Sequence, residues 1–391
     1  MISALAAVAA AALLAVAPLH ATVPALHAPA HCHDTRDGPP PTTVDPAVAA
    51  LRLDAAHRLA TGRGVRVAVI DTGVAAHPRL TGRLTGGGDS VGGGTGMQDC
   101  DGHGTAVAGL IAAAPDDADA FTGVAPGASV LAIRQSSLVF LDDAGRTTPV
   151  GDTRTLADAI DAAVRAGADV VNVSEAACTS RAEAAAAAPP LRRALREAVE
   201  KNVVVVAAAG NIGSGGCTGE LVALPGSLGA DVLAVGAVDR SGTPAGFSVR
   251  GPWIDVAAPG DGLASLAIPS GFTGPTVRGT SFAAPFVSGT AALLRERNPR
   301  MSARAIMDRI VSTARPAGPS DAVGAGIVDP VAALGGTADL AARAPTAPLP
   351  GLGVRMAPPP GLPPEVGAGA VGVAALAVLL LVRALRRPRQ R

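Results

Sequence analysis

The sequence predicts an α/β fold, a doubly wound and mostly parallel sheet flanked by helices. Three observations lead there. Short apolar runs of strand length alternate with helical patterns across residues 61–335, the order that builds a parallel sheet with helices on both faces. The runs are continuously apolar, as strands covered on both faces are. Asp71, Ser174 and Asn211 fall at or just past the carboxyl ends of such runs, where open parallel sheets hold ligands.

In chain order, residues 30–43 are rich in Pro, His and Asp and predict no regular structure. Residues 45–60 have helical spacing and stop at Thr61 and Gly62. Residues 65–70 (VRVAVI) read as a buried strand that delivers Asp71. Residues 86–96 are glycine-dense and predict a surface loop. A buried helix opens with His103 and runs to residue 112. Strands follow at 129–133 and 169–173, with a helix at 155–166 between them. A helix at 191–200 precedes the strand 203–208, which ends in Gly210 and Asn211, and further strands lie at 232–238 and 254–257. A long helix of small residues begins at Ser281, with Pro285 near enough to its start for the missing N–H to matter little. A last helix spans 302–313, and no internal repeat is visible.

Composition narrows the function classes. Of 391 residues 48% are apolar, yet aromatics make up 2% and tyrosine is absent, so the core must be close-packed Ala, Val, Leu and Ile. Formal net charge is zero, which leaves no global field to recruit nucleic acid. Residues 1–17 are almost purely apolar and are followed by Pro18, the pattern of a secretory signal without its usual cationic start; small residues suitable for cleavage recur up to Ala30. Residues 366–382 form an uncharged apolar stretch at the short limit for a membrane span. Arg383, Arg386, Arg387, Arg389 and Arg391 follow directly and place that end in the cytoplasm, with the body of the protein outside.

Four cysteines, Cys32, Cys100, Cys178 and Cys217, suit that compartment. They allow three pairings. A Cys32–Cys100 bond would tie down the N-terminal arm, and a Cys178–Cys217 bond would close the loops after two strands. Metal ligation is the rival, but no two cysteines have the close spacing of a zinc site.

Hydrolysing an amide near neutral pH takes a nucleophile, a base for its proton, and a group that orients the base. Ser281, His103 and Asp71 are the candidates. Ser281 sits at a helix N-terminus, where backbone N–H groups favour developing negative charge. Asn211 is placed to donate to an oxyanion. Taken singly, Asp71 reads as a helix cap, His103 as a core histidine and Asn211 as a turn former. Asp101 reads as a loop hydrogen-bond partner of His103's neighbourhood. Asp89 and Asp99 lack the ligand spacing of a calcium loop, so neither metal nor cofactor is expected.

Residues 67–74 (VAVIDTGV), 103–109 (HGTAVAG) and 279–285 (GTSFAAP) resemble the Asp, His and Ser boxes of the subtilases, in that family's order Asp, His, Ser and with Asn211 between. Residues 99–105 (DCDGHGT), 133–137 (IRQSS), 171–178 (VNVSEAAC) and 324–330 (GAGIVDP) resemble segments of the mycosins, membrane-anchored subtilases associated with type VII secretion. The cysteine pattern, the Pro-rich linker and the C-terminal apolar segment do so too. The resemblance implies a subtilisin-like fold and a serine endopeptidase whose triad is Asp71, His103 and Ser281, with Asn211 as oxyanion donor. It implies that extended substrates lie against strand edges, with Ser174 and Glu175 near the specificity pocket. Protein substrates among secreted proteins and a type VII secretion membrane complex are the implied partners. A mainly structural role in that complex is the alternative. The implied organisation is a signal at 1–28, a wrapping N-terminal extension at 29–60 and a catalytic domain at 61–335. A linker at 336–365, a transmembrane helix at 366–382 and a cytoplasmic tail at 383–391 complete it.

Overall fold

A computed structural model describes residues 26–335, apart from residues 30, 214–216 and 219–220. The signal expected at 1–28, except its last residues, lies outside the described residues, as do the linker, the membrane-spanning segment and the basic tail. Among the described residues no helix is long and apolar enough to cross a membrane.

The N-terminal helical pattern becomes two short helices, α1 (Pro46–Ala49) and α2 (Leu53–His57). They part at Arg52, whose φ of 54° is left-handed. Strands β1 (Arg66–Asp71) and β2 (Leu84–Asp89) precede α3 (His103–Ala112) and β3 (Ser129–Arg134). Next come α4 (Thr153–Arg165), β4 (Val170–Val173), β5 (Ala177–Thr179) and α5 (Arg181–Glu200). Strands β6 (Val204–Ala208), β7 (Val222–Leu224), β8 (Leu233–Val238) and β9 (Val256–Pro259) follow. Helices α6 (Thr280–Arg297), α7 (Ala303–Ser312), α8 (Ser320–Val323) and α9 (Pro330–Leu334) close the domain.

Seven strands form one sheet in the order β2-β3-β1-β4-β6-β8-β9, and every neighbouring pair is parallel. Strands β5 and β7 make a separate antiparallel pair. The main sheet grows to opposite sides of β1, toward β3 and toward β4, so the crevice beyond the end of β1 is the switch point where ligands bind.

Side chains of successive strand residues point to opposite faces, and this alternation splits the interior into two cores. Val67, Val69, Val130, Ala132, Val204 and Val206 pack with α3 and α6. Ala68, Ile70, Leu131, Ile133, Val171, Val173, Val205 and Ala207 pack with α4 and α5. Asp71, two residues beyond Val69, therefore faces α3 and α6.

Helix α6 is buried on nearly all sides from Thr280 to Arg295, which its Ala, Gly, Ser and Thr content permits. Gly289 shows why: a Cβ there would stand 2.5 Å from Val124 Cβ. Pro285 cannot donate to the carbonyl of Ser281, four residues earlier. The Ser174 hydroxyl donates to that carbonyl instead, at 2.7 Å. Ser174 in turn accepts from Asn172 Nδ2 at 2.8 Å, and Asn172 Oδ1 accepts from Ser288 Oγ at 2.8 Å. This buried series fastens the end of β4 to α6.

Besides the split of the N-terminal helix at Arg52, the structure departs from the sequence reading in three places. The glycine-rich segment expected to be all loop begins as edge strand β2, because backbone pairing with β3 needs no side-chain periodicity; Gly87 lets it lie against Leu131 and Ile133. Helix α5 starts ten residues earlier than expected, under a capping box of Ser180 and Glu183. It runs through Pro189 and Pro190, both on the exposed side, and the carbonyls they leave free belong to the exposed Ala185 and Ala186. The pair β5–β7 and helices α8 and α9 carried no sequence signal strong enough to predict them.

Residues 31–43 lack regular structure, as expected, but are well anchored. The backbones of His27 and Leu141 exchange hydrogen bonds of 3.1 and 2.9 Å. Thr35 N donates to Ile268 O at 3.0 Å, and Ile268 N donates back to Thr35 Oγ1 at 2.9 Å. Asp37 accepts from Gly274 N and Thr276 Oγ1. Disulfides join Cys32 to Cys100 and Cys178 to Cys217.

Two substitutions test this packing. Gly289→Ala overfills the contact with Val124 and should lower stability by about 1–3 kcal/mol in denaturant unfolding. Asp255 accepts from Ala234 N at 2.8 Å at the start of β9, and burial pushes its carboxyl from 3.8 up to about 6. Its protonated form is the one the fold prefers, so its stabilising effect is complete below about pH 3.8 and is lost as pH rises through about 6. Asp255→Asn should therefore raise the melting temperature at pH 8 and leave it little changed at pH 4.

Candidate active site

The end of β1, the start of α3 and the start of α6 meet on one face of the sheet. Their close approach dictates the glycines beside each polar residue. Gly73 has φ of 104°, and a Cβ on it would lie 2.1 Å from Gln98 O. A Cβ on Gly104 would lie 1.9 Å from Gly73 O. Only hydrogen fits at either position, so the backbone after Asp71 presses against the backbone after His103.

Asp71 is fully buried. Its Oδ1 accepts from Thr72 N at 2.7 Å and from His103 Nδ1 at 2.7 Å. Its Oδ2 has no partner among the described residues. The opposite ring nitrogen, His103 Nε2, lies 3.0 Å from Ser281 Oγ. Phe282 packs its ring 4.9 Å from the imidazole, centroid to centroid. Carboxylate, imidazole and alcohol thus form one hydrogen-bonded series from residues far apart in the chain. Burial opposes charge on His103, but the negative charge and hydrogen bond of Asp71, with Glu175 and Asp99 beyond, outweigh it and raise the imidazole to about 9.

Asn211 reaches the start of α6. Its Oδ1 accepts from Thr280 N at 2.9 Å and from Thr280 Oγ1 at 3.2 Å, which fixes the amide so that Nδ2 faces away from Thr280. Gly279 has φ of 149°, and the position its Cβ would take lies 2.8 Å from Ser281 Oγ and 3.2 Å from Asn211 Nδ2. Glycine leaves open a space bordered by the hydroxyl and by an N–H donor. Negative charge forming there would find that donor already oriented.

Ser174 and Glu175 lie at the end of β4, beside Ser281. The Ser174 hydroxyl is committed to the Ser281 carbonyl, so what it can offer a bound chain is its backbone. Glu175 Oε1 accepts from Ser136 Oγ at 2.9 Å, and burial first, then Asp71, push its carboxyl up to about 7. Asp71, His103 and Glu175 present oxygen and nitrogen atoms within 4.8 Å of one another. Both ring nitrogens of His103 are engaged by Asp71 and Ser281, the arrangement of a proton relay.

Several residues of the site escaped the sequence reading. Asp99 is the chief one. Its carboxylate accepts from Thr72 Oγ1, Asp101 N, Gly102 N, Thr105 N and Thr105 Oγ1, at 2.7–3.2 Å. Burial raises its pKa. Thr72 Oγ1 accepts from Gly104 N at 3.0 Å, completing the link between β1 and α3. Asp101 accepts from Ser137 Oγ at 2.7 Å and Leu138 N at 2.8 Å, the loop role expected of it. Asp89 is held by Arg134 and three backbone N–H groups. Thr72 and Asp99 lie inside the motifs at 67–74 and 99–105, but nothing in those motifs marked them as hydrogen-bond organisers. Asp99→Ala, which strands those donors, should cost about 2 kcal/mol or more in denaturant unfolding and slow reaction of Ser281 with a sulfonyl fluoride.

Residues 62–326 match the subtilase family, peptidase S8. Mycosin-4 of Mycobacterium tuberculosis is 47% identical over 313 residues, which cover 72% of this chain and 67% of that protein. The crystal structure of MycP1 from Mycobacterium smegmatis superposes with a TM-score of 0.69 at 36% identity, covering 80% of this chain and 90% of that one. A chain of the intact ESX-5 inner membrane complex gives a TM-score of 0.70 at 34% identity, covering 93% and 94%. With the sheet order, the Asp71–His103–Ser281 series and these likenesses in agreement, the chain belongs to the subtilase family of serine endopeptidases and, within it, to the mycosins.

Proposed function

We propose that the protein is a membrane-anchored, extracytoplasmic serine endopeptidase that cleaves exported substrates of a type VII secretion system, working at that system's membrane complex. The observation that carries the chemistry is the series Asp71–His103–Ser281, with spacings of 2.7 and 3.0 Å, opening onto a space that Asn211 Nδ2 borders. Ser281 Oγ attacks the scissile carbonyl carbon and passes its proton to His103 Nε2. The imidazolium is stabilised through Nδ1–H by Asp71 Oδ1. The carbonyl oxygen gains negative charge and accepts from Asn211 Nδ2 and from the N-terminus of α6. His103 then protonates the departing amine, and water hydrolyses the acyl-enzyme by the reverse proton path.

An extended substrate would pair with the segments beyond β3 and β4. Ser174 would supply backbone and Glu175 a side chain beside the pocket. Leu138 and Ile212, 69% and 48% exposed, are apolar side chains next to Asp101 and Asn211 and suit a substrate's apolar flanks.

The organisation that fits is a signal at 1–28, an extension at 29–60 that wraps the catalytic domain at 61–335, a linker at 336–365, a membrane helix at 366–382 and a cytoplasmic tail at 383–391. The anchored arm and the two disulfides support the extension and the oxidising side of the membrane. Location at a secretion complex is supported by the likeness to a chain of the ESX-5 inner membrane complex.

A structural role in such a complex is the second reading, favoured by that same likeness. Ser281→Ala separates the two. On the protease reading, cleavage of co-encoded secreted proteins should vanish; if secretion also stops only on deletion of the whole chain, both roles hold. Asn211→Ala should lower kcat by about 10²–10³, and Asp71→Asn by about 10⁴, in peptide hydrolysis. Normal cleavage by Ser281→Ala would end the protease reading.

A further inference from the structure

Glu175 is the carboxylate near the relay that the steps above do not use. Among the described residues it has one hydrogen bond, from Ser136 Oγ at 2.9 Å. No ion pair to it occurs among the described residues, yet its carboxylate lies within 4.8 Å of an imidazole nitrogen of His103 and of Asp71. No hydrogen bond joins Glu175 to either of them, but the distance is near enough for a charge interaction between half-buried groups beside a fully buried carboxylate.

We propose that Glu175 is a positioning residue for His103: its carboxylate, carried on the end of β4, stabilises the imidazolium that forms when Ser281 gives up its proton. The inference rests on the protease reading above and adds a second carboxylate to it. The groups facing His103 are Asp71 from β1, Asp99 from the loop before α3 and Glu175 from beyond β4, all acidic; Phe282 of α6 contributes a ring without charge. Glu175 itself faces Asp71, His103, Asp101 and the Ser136 hydroxyl. Its carboxyl, pushed up to about 7, is ionised in the range where an imidazole raised to about 9 exchanges its proton. Removing the charge should make His103 a neutral base at lower pH.

The test is the pH dependence of inactivation by a small sulfonyl fluoride, which reports Ser281–His103 reactivity without any peptide. It uses the full-length chain, Glu175→Gln and Glu175→Asp. Glutamine keeps an acceptor for Ser136 and loses only the charge. The acid limb of the Glu175→Gln profile should move down by about one pH unit, while Glu175→Asp stays near wild type. An unmoved limb in Glu175→Gln overturns the inference and leaves the protease reading standing. A limb unmoved with the reagent, combined with a selective loss on peptides carrying Lys or Arg beside the scissile bond, also overturns it and makes Glu175 a cation-recognition residue. Wild-type Ser281 that resists the reagent at every pH overturns both.

Discussion

A fully buried carboxylate sets the terms for the rest of the molecule. Removing a carboxylate from water is worth several kcal/mol of penalty even after the protein relaxes. Asp71 is tolerable because an N–H and an imidazole converge on one of its oxygens. That convergence requires the end of β1, the start of α3 and the start of α6 to lie within a side chain's reach of each other. Glycines at 73, 104 and 279 follow from the requirement, since any side chain there would occupy backbone or the space beside Ser281.

Helix α6 supplies the alcohol, and its position is determined from the sheet. Pro285 breaks the helical bond to the Ser281 carbonyl, and Ser174 donates to that carbonyl in its place. The series from Ser288 through Asn172 and Ser174 to Ser281 crosses the sheet–helix boundary inside a core of Ala and Val. Such a core packs closely but has little shape to specify register, and a fully satisfied polar series adds specificity that methyl groups lack. Asn211 repeats the device at the other side of the helix start through Thr280.

The N-terminal arm adds a restraint on the histidine side. It is tied by Cys32–Cys100 to the loop that carries Asp99 and Asp101, and Thr35 lies against Gly102. Asp99 gathers five donors, two from that loop, two from Thr105 of α3 and one from Thr72, so the approach to α3 is held from both sides. The histidine is positioned chiefly by what precedes it in sequence, and the serine by what the sheet presents to its helix.

Much of this was legible before any coordinates. Strand–helix alternation, the buried character of α3 and α6, and Asp71 and Asn211 as polar residues at strand ends left a local pattern, whereas His103 and Ser281 open helices and were named as their partners through the resemblance to the family's boxes. Glycine-built β2, the early part of α5 and the pair β5–β7 were not legible. Backbone pairing to a neighbour strand writes nothing into periodicity, and solvent-exposed prolines look like breaks whether or not water satisfies the freed carbonyls. Asp99 as an organiser, the commitment of Ser174 to a helix carbonyl and the nearness of Glu175 to His103 were decided only in three dimensions. Each depends on distances between segments far apart along the chain, and those distances are set by packing. Sequence by itself determined which chemical groups were available and on which kind of element each sits; tertiary structure decided which of them meet.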